Sequence, residues 1–125
     1  MIKNTLVTST DVDVPITVFT STTDGEPAGA PEDEVTNAIT TMVLCNTGTP
    51  DLTDESVNTE TCKVFLVPKG GSASATTTIV SNLTIPAGET VFFSDEKIIL
   101  GPGDTIRIGT STGSLLSATV SFLQV

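Results

Sequence analysis

Residues 79–110 read IVSNLTIPAGETVFFSDEKIILGPGDTIRIGT. Apolar and polar side chains alternate in short runs, and the runs are cut by Pro86-Ala87-Gly88-Glu89 and Gly101-Pro102-Gly103-Asp104. A period of two places successive side chains on opposite faces of a strand. In the second break Pro102 fixes φ at the first central position and Gly103 supplies positive φ at the next, as a type II turn requires. Strand, tight turn, strand is therefore the local rule, and it extends in both directions along the chain.

Upstream, Val12, Val14, Ile16 and Val18 alternate with Asp13 and Thr17, and Pro15 makes that strand an edge. In 62–67 both alternating sets, Cys62, Val64 and Leu66 against Lys63, Phe65 and Val67, are apolar enough to be covered. Ile79, Leu83 and Ile85 alternate with Val80, Asn82 and Thr84. Downstream, Ile106 and Ile108 flank Arg107, and Leu116, Ala118, Val120 and Phe122 share a face opposite Ser117, Thr119 and Ser121. Pro68-Lys69-Gly70-Gly71-Ser72 is a further break. Thr is abundant, Val and Ile recur, and no helical period is present. The pattern predicts strands at 3–9, 12–20, 36–46, 60–68, 76–85, 89–93, 96–100, 104–110 and 115–124. Eight or nine short antiparallel strands at this spacing make an all-β, single-domain β-sandwich, jelly-roll or immunoglobulin-like. The domain spans 1–125, with no internal repeat. Two polar stretches, 21–35 (STTDGEPAGAPEDEV) and 47–59 (TGTPDLTDESVNT), are surface loops.

A chain of 125 residues is long enough to bury one core unaided. Its hydrophobic content of 38% argues for a folded domain despite fifteen acidic residues against five basic ones, a net charge of −10. Lys3, Lys63, Lys69, Lys97 and Arg107 form no patch, so neither nucleic acid nor an anionic membrane surface is an expected partner. The start, Met1-Ile2-Lys3-Asn4, carries no apolar signal segment, and no apolar run is long enough to span a bilayer, so synthesis in a cytosol is expected.

Cys45 and Cys62 are placed on neighbouring strands, where a cross-strand disulfide is geometrically open. A reducing cytosol and the apolar character of the thiol favour two unpaired core cysteines. Two cysteines and no histidine fall short of a zinc site. With no His, Ser-His-Asp and Cys-His catalysis are ruled out within the chain. No phosphate-cradling glycine loop occurs, and the acidic residues sit in polar loops, so no enzyme activity, catalytic residue or cofactor is expected. Asp51, Asp54 and Glu55, or Asp24, Glu26 and Glu32 to Glu34, could offer oxygen ligands to calcium, but EF-hand spacing is missing and solvation is the plainer reading. Asn82-Leu83-Thr84 matches a glycosylation sequon, which is expected to carry no meaning without a secretion signal.

What remains is geometry. A sandwich has edge strands that pair with other chains unless protected. The N-terminal segment 3–9 and the terminal segment 115–125 are read as edges or exchanged strands. Thr5, Leu6, Val7, Leu123 and Val125 are the expected subunit-contact residues. The alternative reading of 115–125 is that it completes the core.

Several runs, taken in order, also resemble small structural proteins of tailed bacteriophages: 40–47 (TTMVLCNT), 64–71 (VFLVPKGG), 83–90 (LTIPAGET), 96–106 (EKIILGPGDTI) and 116–121 (LSATVS). The resemblance covers 36–125; the first 35 residues and the acidic 49–60 insertion stand outside it. It implies a non-enzymatic virion component, most simply a capsid decoration or cement subunit, with a neck, tail or fibre-base adaptor as the second placement. The partners implied are copies of itself and other virion proteins, the major capsid protein or neck and tail subunits. A host-surface carbohydrate-binding module is the alternative from another class. Such modules present aromatic rings to sugars, and the five Phe here, Phe19, Phe65, Phe92, Phe93 and Phe122, all fall in expected strands.

Overall fold

A computed structural model describes residues 1–21, 35–94 and 97–125. Among these described residues nine strands follow one another: β1 (Ile2–Val7), β2 (Ile16–Thr20), β3 (Asn37–Asn46), β4 (Glu60–Val67), β5 (Thr78–Ile85), β6 (Thr90–Phe93), β7 (Ile98–Leu100), β8 (Thr105–Thr110) and β9 (Leu116–Gln124). They form two antiparallel sheets. The first runs β1-β9-β3-β6, with β7 pairing β3 beyond β6, and the second runs β2-β8-β4-β5. Because β6 and β7 both pair with β3, they act as one interrupted strand. The chain crosses between the sheets at every connection except β4–β5 and β6–β7. This is the wound order of a jelly roll, not the order of an immunoglobulin sandwich.

Alternation decides what each sheet buries. Leu116, Ala118, Val120 and Phe122 of β9 point inward, as their spacing predicts, and meet Met42, Leu44, Cys62, Val64, Ile106 and Ile108 in one core. The Phe19 and Phe122 rings, one from each sheet, meet at 4.8 Å between centroids and tilt by 58°, an edge-leaning geometry that aromatic pairs favour. The three breaks in the sequence all close tight turns: Gly71 N donates to Pro68 O, Glu89 N to Pro86 O and Asp104 N to Gly101 O. Gly103 stands at φ +80°, the value expected of the third residue in a type II turn.

Four expectations change. The strand expected over 12–20 begins only at Ile16. Val14 N donates to Asp11 O, and the Ser9 hydroxyl lies 2.7 Å from both Asp11 O and Val14 O, so these residues close a turn before the alternation can take effect. In β5 a bulge lies between the pairs Cys62↔Leu83 and Val64↔Val80. It brings Val80 and Leu83 to the core and leaves Ile79 exposed. Cys45 and Cys62 are not on neighbouring strands: β3 belongs to the first sheet and β4 to the second. Both are free thiols; Cys62 is buried, whereas Cys45 is only partly covered. Finally, β9 is no edge. It pairs with β1 from Ile2↔Ser121 to Val7↔Leu116 and with β3 along its whole length, so its backbone is used on both sides and it completes the core.

The two outer faces are finished differently. On the second sheet the β1–β2 connection lies against β8, so close that a Cβ added to Gly109 would stand 2.2 Å from Val12 O. Thr110 Oγ1 donates to Ser9 O at 2.6 Å, and Lys63 Nζ reaches Asp13 Oδ1 at 2.6 Å, fastening that loop down. The first sheet is the subject of the next section.

Candidate interaction surface

Register fixes which side chains of the first sheet face out. Ile2 pairs with Ser121, Asn4 with Thr119 and Leu6 with Ser117, and on the far side of β9 Ala38 pairs with Leu123, Val43 with Thr119 and Cys45 with Ser117. Phe92 of β6 stands beside Val43, and Ile99 of β7 beside Ala38. None of the outward positions of these strands is Asp, Glu, Lys or Arg. On a chain with net charge −10 the described strands of this sheet thus present a neutral field. Large apolar side chains project from it: Ile99 is 68% exposed, Phe92 67%, Ile2 66%, Leu123 57% and Leu6 49%. Soluble monomers scatter such residues singly; several on one face mark a contact surface.

The expected contact residues divide on this surface. Leu6 and Leu123 lie on it, one on each of two adjacent strands. Val125 is exposed at the end of β9, its N–H donating to Thr36 O at 2.9 Å. Val7 and Thr5 pair with Leu116 and Ala118 on the inward side. Val7 is fully buried and Thr5 Oγ1 donates to Val18 O at 3.3 Å across to β2, so both hold the sandwich together. The chain ends are tied to each other, Met1 N to Phe122 O at 3.0 Å and Phe122 N to Met1 O at 2.9 Å. Phe92 and Ile99 complete the face and were not singled out from sequence. Each follows or precedes another apolar residue in a short strand, Val91-Phe92-Phe93 and Ile98-Ile99-Leu100, so alternation alone does not say which one points out. Among the five phenylalanines Phe19, Phe65 and Phe122 are buried, Phe93 half-buried and Phe92 exposed, which leaves one ring for any sugar platform.

The acids are placed elsewhere. Asp51 Oδ1 accepts from Thr53 N (2.8 Å) and Thr53 Oγ1 (2.7 Å), and Asp54 Oδ1 accepts from Ser56 N and Ser56 Oγ. These bonds hold both carboxyls below the usual aspartate range, the Thr53 N–H for Asp51 and the Ser56 hydroxyl for Asp54 being the chief causes. The second candidate cation group, Asp24, Glu26 and Glu32 to Glu34, lies outside the described residues, as does most of the 21–35 loop. Among the described residues no three His, Cys, Asp or Glu side chains gather where they could hold a metal ion, and no helix is long and apolar enough to cross a membrane. Glu60 is the one charged side chain fully buried among them. Its Oε1 accepts from Ser111 Oγ at 2.7 Å and Thr112 N at 2.6 Å, bracing the β8–β9 turn, while Oε2 has no partner.

Compared with known proteins, the chain matches no protein-family model and no curated protein by sequence. Its fold class is what defines it: an all-β jelly-roll sandwich with one loop-covered face and one face that, among the described residues, is neutral and exposed.

Proposed function

We propose that the chain is a non-enzymatic structural protein of a tailed-phage virion, a capsid decoration subunit that works by docking. The observation that carries this reading is the uncharged outer face of the β1-β9-β3-β6 sheet, with Ile2, Leu6, Phe92, Ile99 and Leu123 exposed on it. A molecule this acidic is repelled by other acidic surfaces everywhere else, so a neutral apolar face concentrates association in one place. The phage assignment rests on the ordered run of motifs from Thr40 to Ser121 that resembles small phage structural proteins. Jelly rolls recur in viral capsid domains, though also in lectins and cupins, so the topology supports the assignment by analogy only.

Mass spectrometry of purified particles tests it directly. The chain should be present in stoichiometric, multi-copy amounts, and a particle map should place it on the outer capsid shell. Density at the neck, tail or fibre base would move it to the adaptor role. A particle lacking the chain ends the proposal.

A further inference from the structure

We infer that the occupant of the neutral face is a second copy of this chain, seated on the same face about a two-fold axis. The inference rests on reading that face as an interface, but it does not require the virion.

Three observations select a second copy. The first is charge. A face with neither sign of charge offers no complement to a basic partner, yet it is complementary to itself, which is the condition an isologous interface must meet. Two copies, each at −10, can come together only where neither presents a carboxylate. The second is area. Strands about 4.8 Å apart and rising about 3.4 Å per residue make the face, four strands wide and nine residues long at β9, roughly 19 by 30 Å. Two such faces in contact cover on the order of 1,100 Å², just above the roughly 1,000 Å² that a biological interface should clear. The third is the contrast within the molecule. The opposite sheet already carries its own cover, the β1–β2 connection pressed on Gly109 and pinned by Lys63 to Asp13. The neutral face carries small side chains, Ser117, Thr119 and Ser121, between the projecting apolar ones. Sheets pack face to face in this way about 10 Å apart.

Sedimentation velocity on the full chain across a concentration series reads the outcome. A dimer is expected, and it should hold or strengthen as NaCl rises, because salt screens the repulsion between the acidic bodies and removes no attraction at the face. Phe92→Asp should weaken the dimer at least about 30-fold, the loss expected when a large exposed aromatic contact is replaced by a charge that two-fold symmetry sets into both halves of the interface. Val14→Asp, a matching charge at an exposed apolar site on the loop-covered side, should leave it unchanged. Since both side chains are exposed, an unaltered circular-dichroism melt separates loss of contact from loss of fold. Cys45 lies on the same face and supplies a readout without mutation: its maleimide labelling should slow at concentrations where the dimer forms. A wild-type monomer at several hundred micromolar overturns the inference. So does a dimer that salt dissociates, or one that Phe92→Asp leaves intact. A chain found on particles but monomeric in solution would leave the virion reading standing and remove only this one.

Discussion

Two buried residues show how much a single side chain decides. Cys62 is sealed into the core, and burial first, with the neighbouring Glu60 carboxylate second, pushes its thiol up to about 11 from 9.0. A raised value in the folded state means that the unfolded chain releases its proton first. The stability tied to Cys62 is therefore complete below pH 9 and drains away as pH climbs to 11, by up to about 2–3 kcal/mol. Urea denaturation at pH 8 and pH 11 should show this loss, and Cys62→Ala should flatten it. Glu60 itself is a charge in the interior with one oxygen satisfied twice and the other not at all. Glu60→Gln keeps an acceptor for Ser111 and Thr112 and removes the buried charge, so its melting point should equal or exceed that of the natural chain. Glu60→Ala strands both donors and opens a gap, and should cost about 2–4 kcal/mol in the same melt. Equal losses for the two variants would show that the charge itself is needed.

Elements are held by what crosses them. The β1–β2 connection passes over β8 where Gly109 leaves room, and Val12 O occupies the space that any Cβ would need. Gly109→Ala must lift this connection, breaking the Thr110–Ser9 bond and pulling Asp13 from Lys63. The expected cost is about 1–3 kcal/mol by chemical denaturation, accompanied by faster amide exchange at Val14. At the same end of the sandwich Asn46, paired with Leu116, does similar work. Its Nδ2 donates to Asn58 O at 2.7 Å and Ile85 O at 2.9 Å, tying the acidic 47–59 loop to β5. The loop was legible in the sequence as polar and turn-rich. That a single asparagine anchors it was not: alternation with Met42 and Leu44 turns Asn46 inward, but its acceptors on Asn58 and Ile85 are brought to it only by the fold.

For the whole molecule, topology governs folding as well as form. The first sheet is closed by pairing Ile2 with Ser121, nearly the full chain apart, and most pairings join strands distant in sequence. Such a fold must close long loops before its contacts reward it, so refolding from urea should take milliseconds to seconds, not microseconds, in stopped-flow fluorescence of a dye on Cys45. The same winding sorts the two outer faces. Among the described residues, the β1–β2 connection leaves the first sheet and falls across the second. The neutral face reflects that winding joined to the absence of charged side chains from the outward positions of five strands.

The sequence by itself determined the strands and their turns. Period-two alternation and Pro-Gly breaks are local signals, and φ at Gly103 or the inward face of β9 follows from them without reference to distant residues. It also determined that the charge is acidic and scattered. Only the tertiary structure decided the sheet order, and with it the jelly roll over the immunoglobulin alternative, the separation of Cys45 from Cys62, and the interior place of β9. It alone assigned outward positions to Phe92 and Ile99, where adjacent apolar residues leave alternation ambiguous. The reason is physical: a strand's periodicity fixes which side chains share a face, but which face meets the core, and which neighbour meets each edge, depends on non-local pairing that no short window of sequence contains.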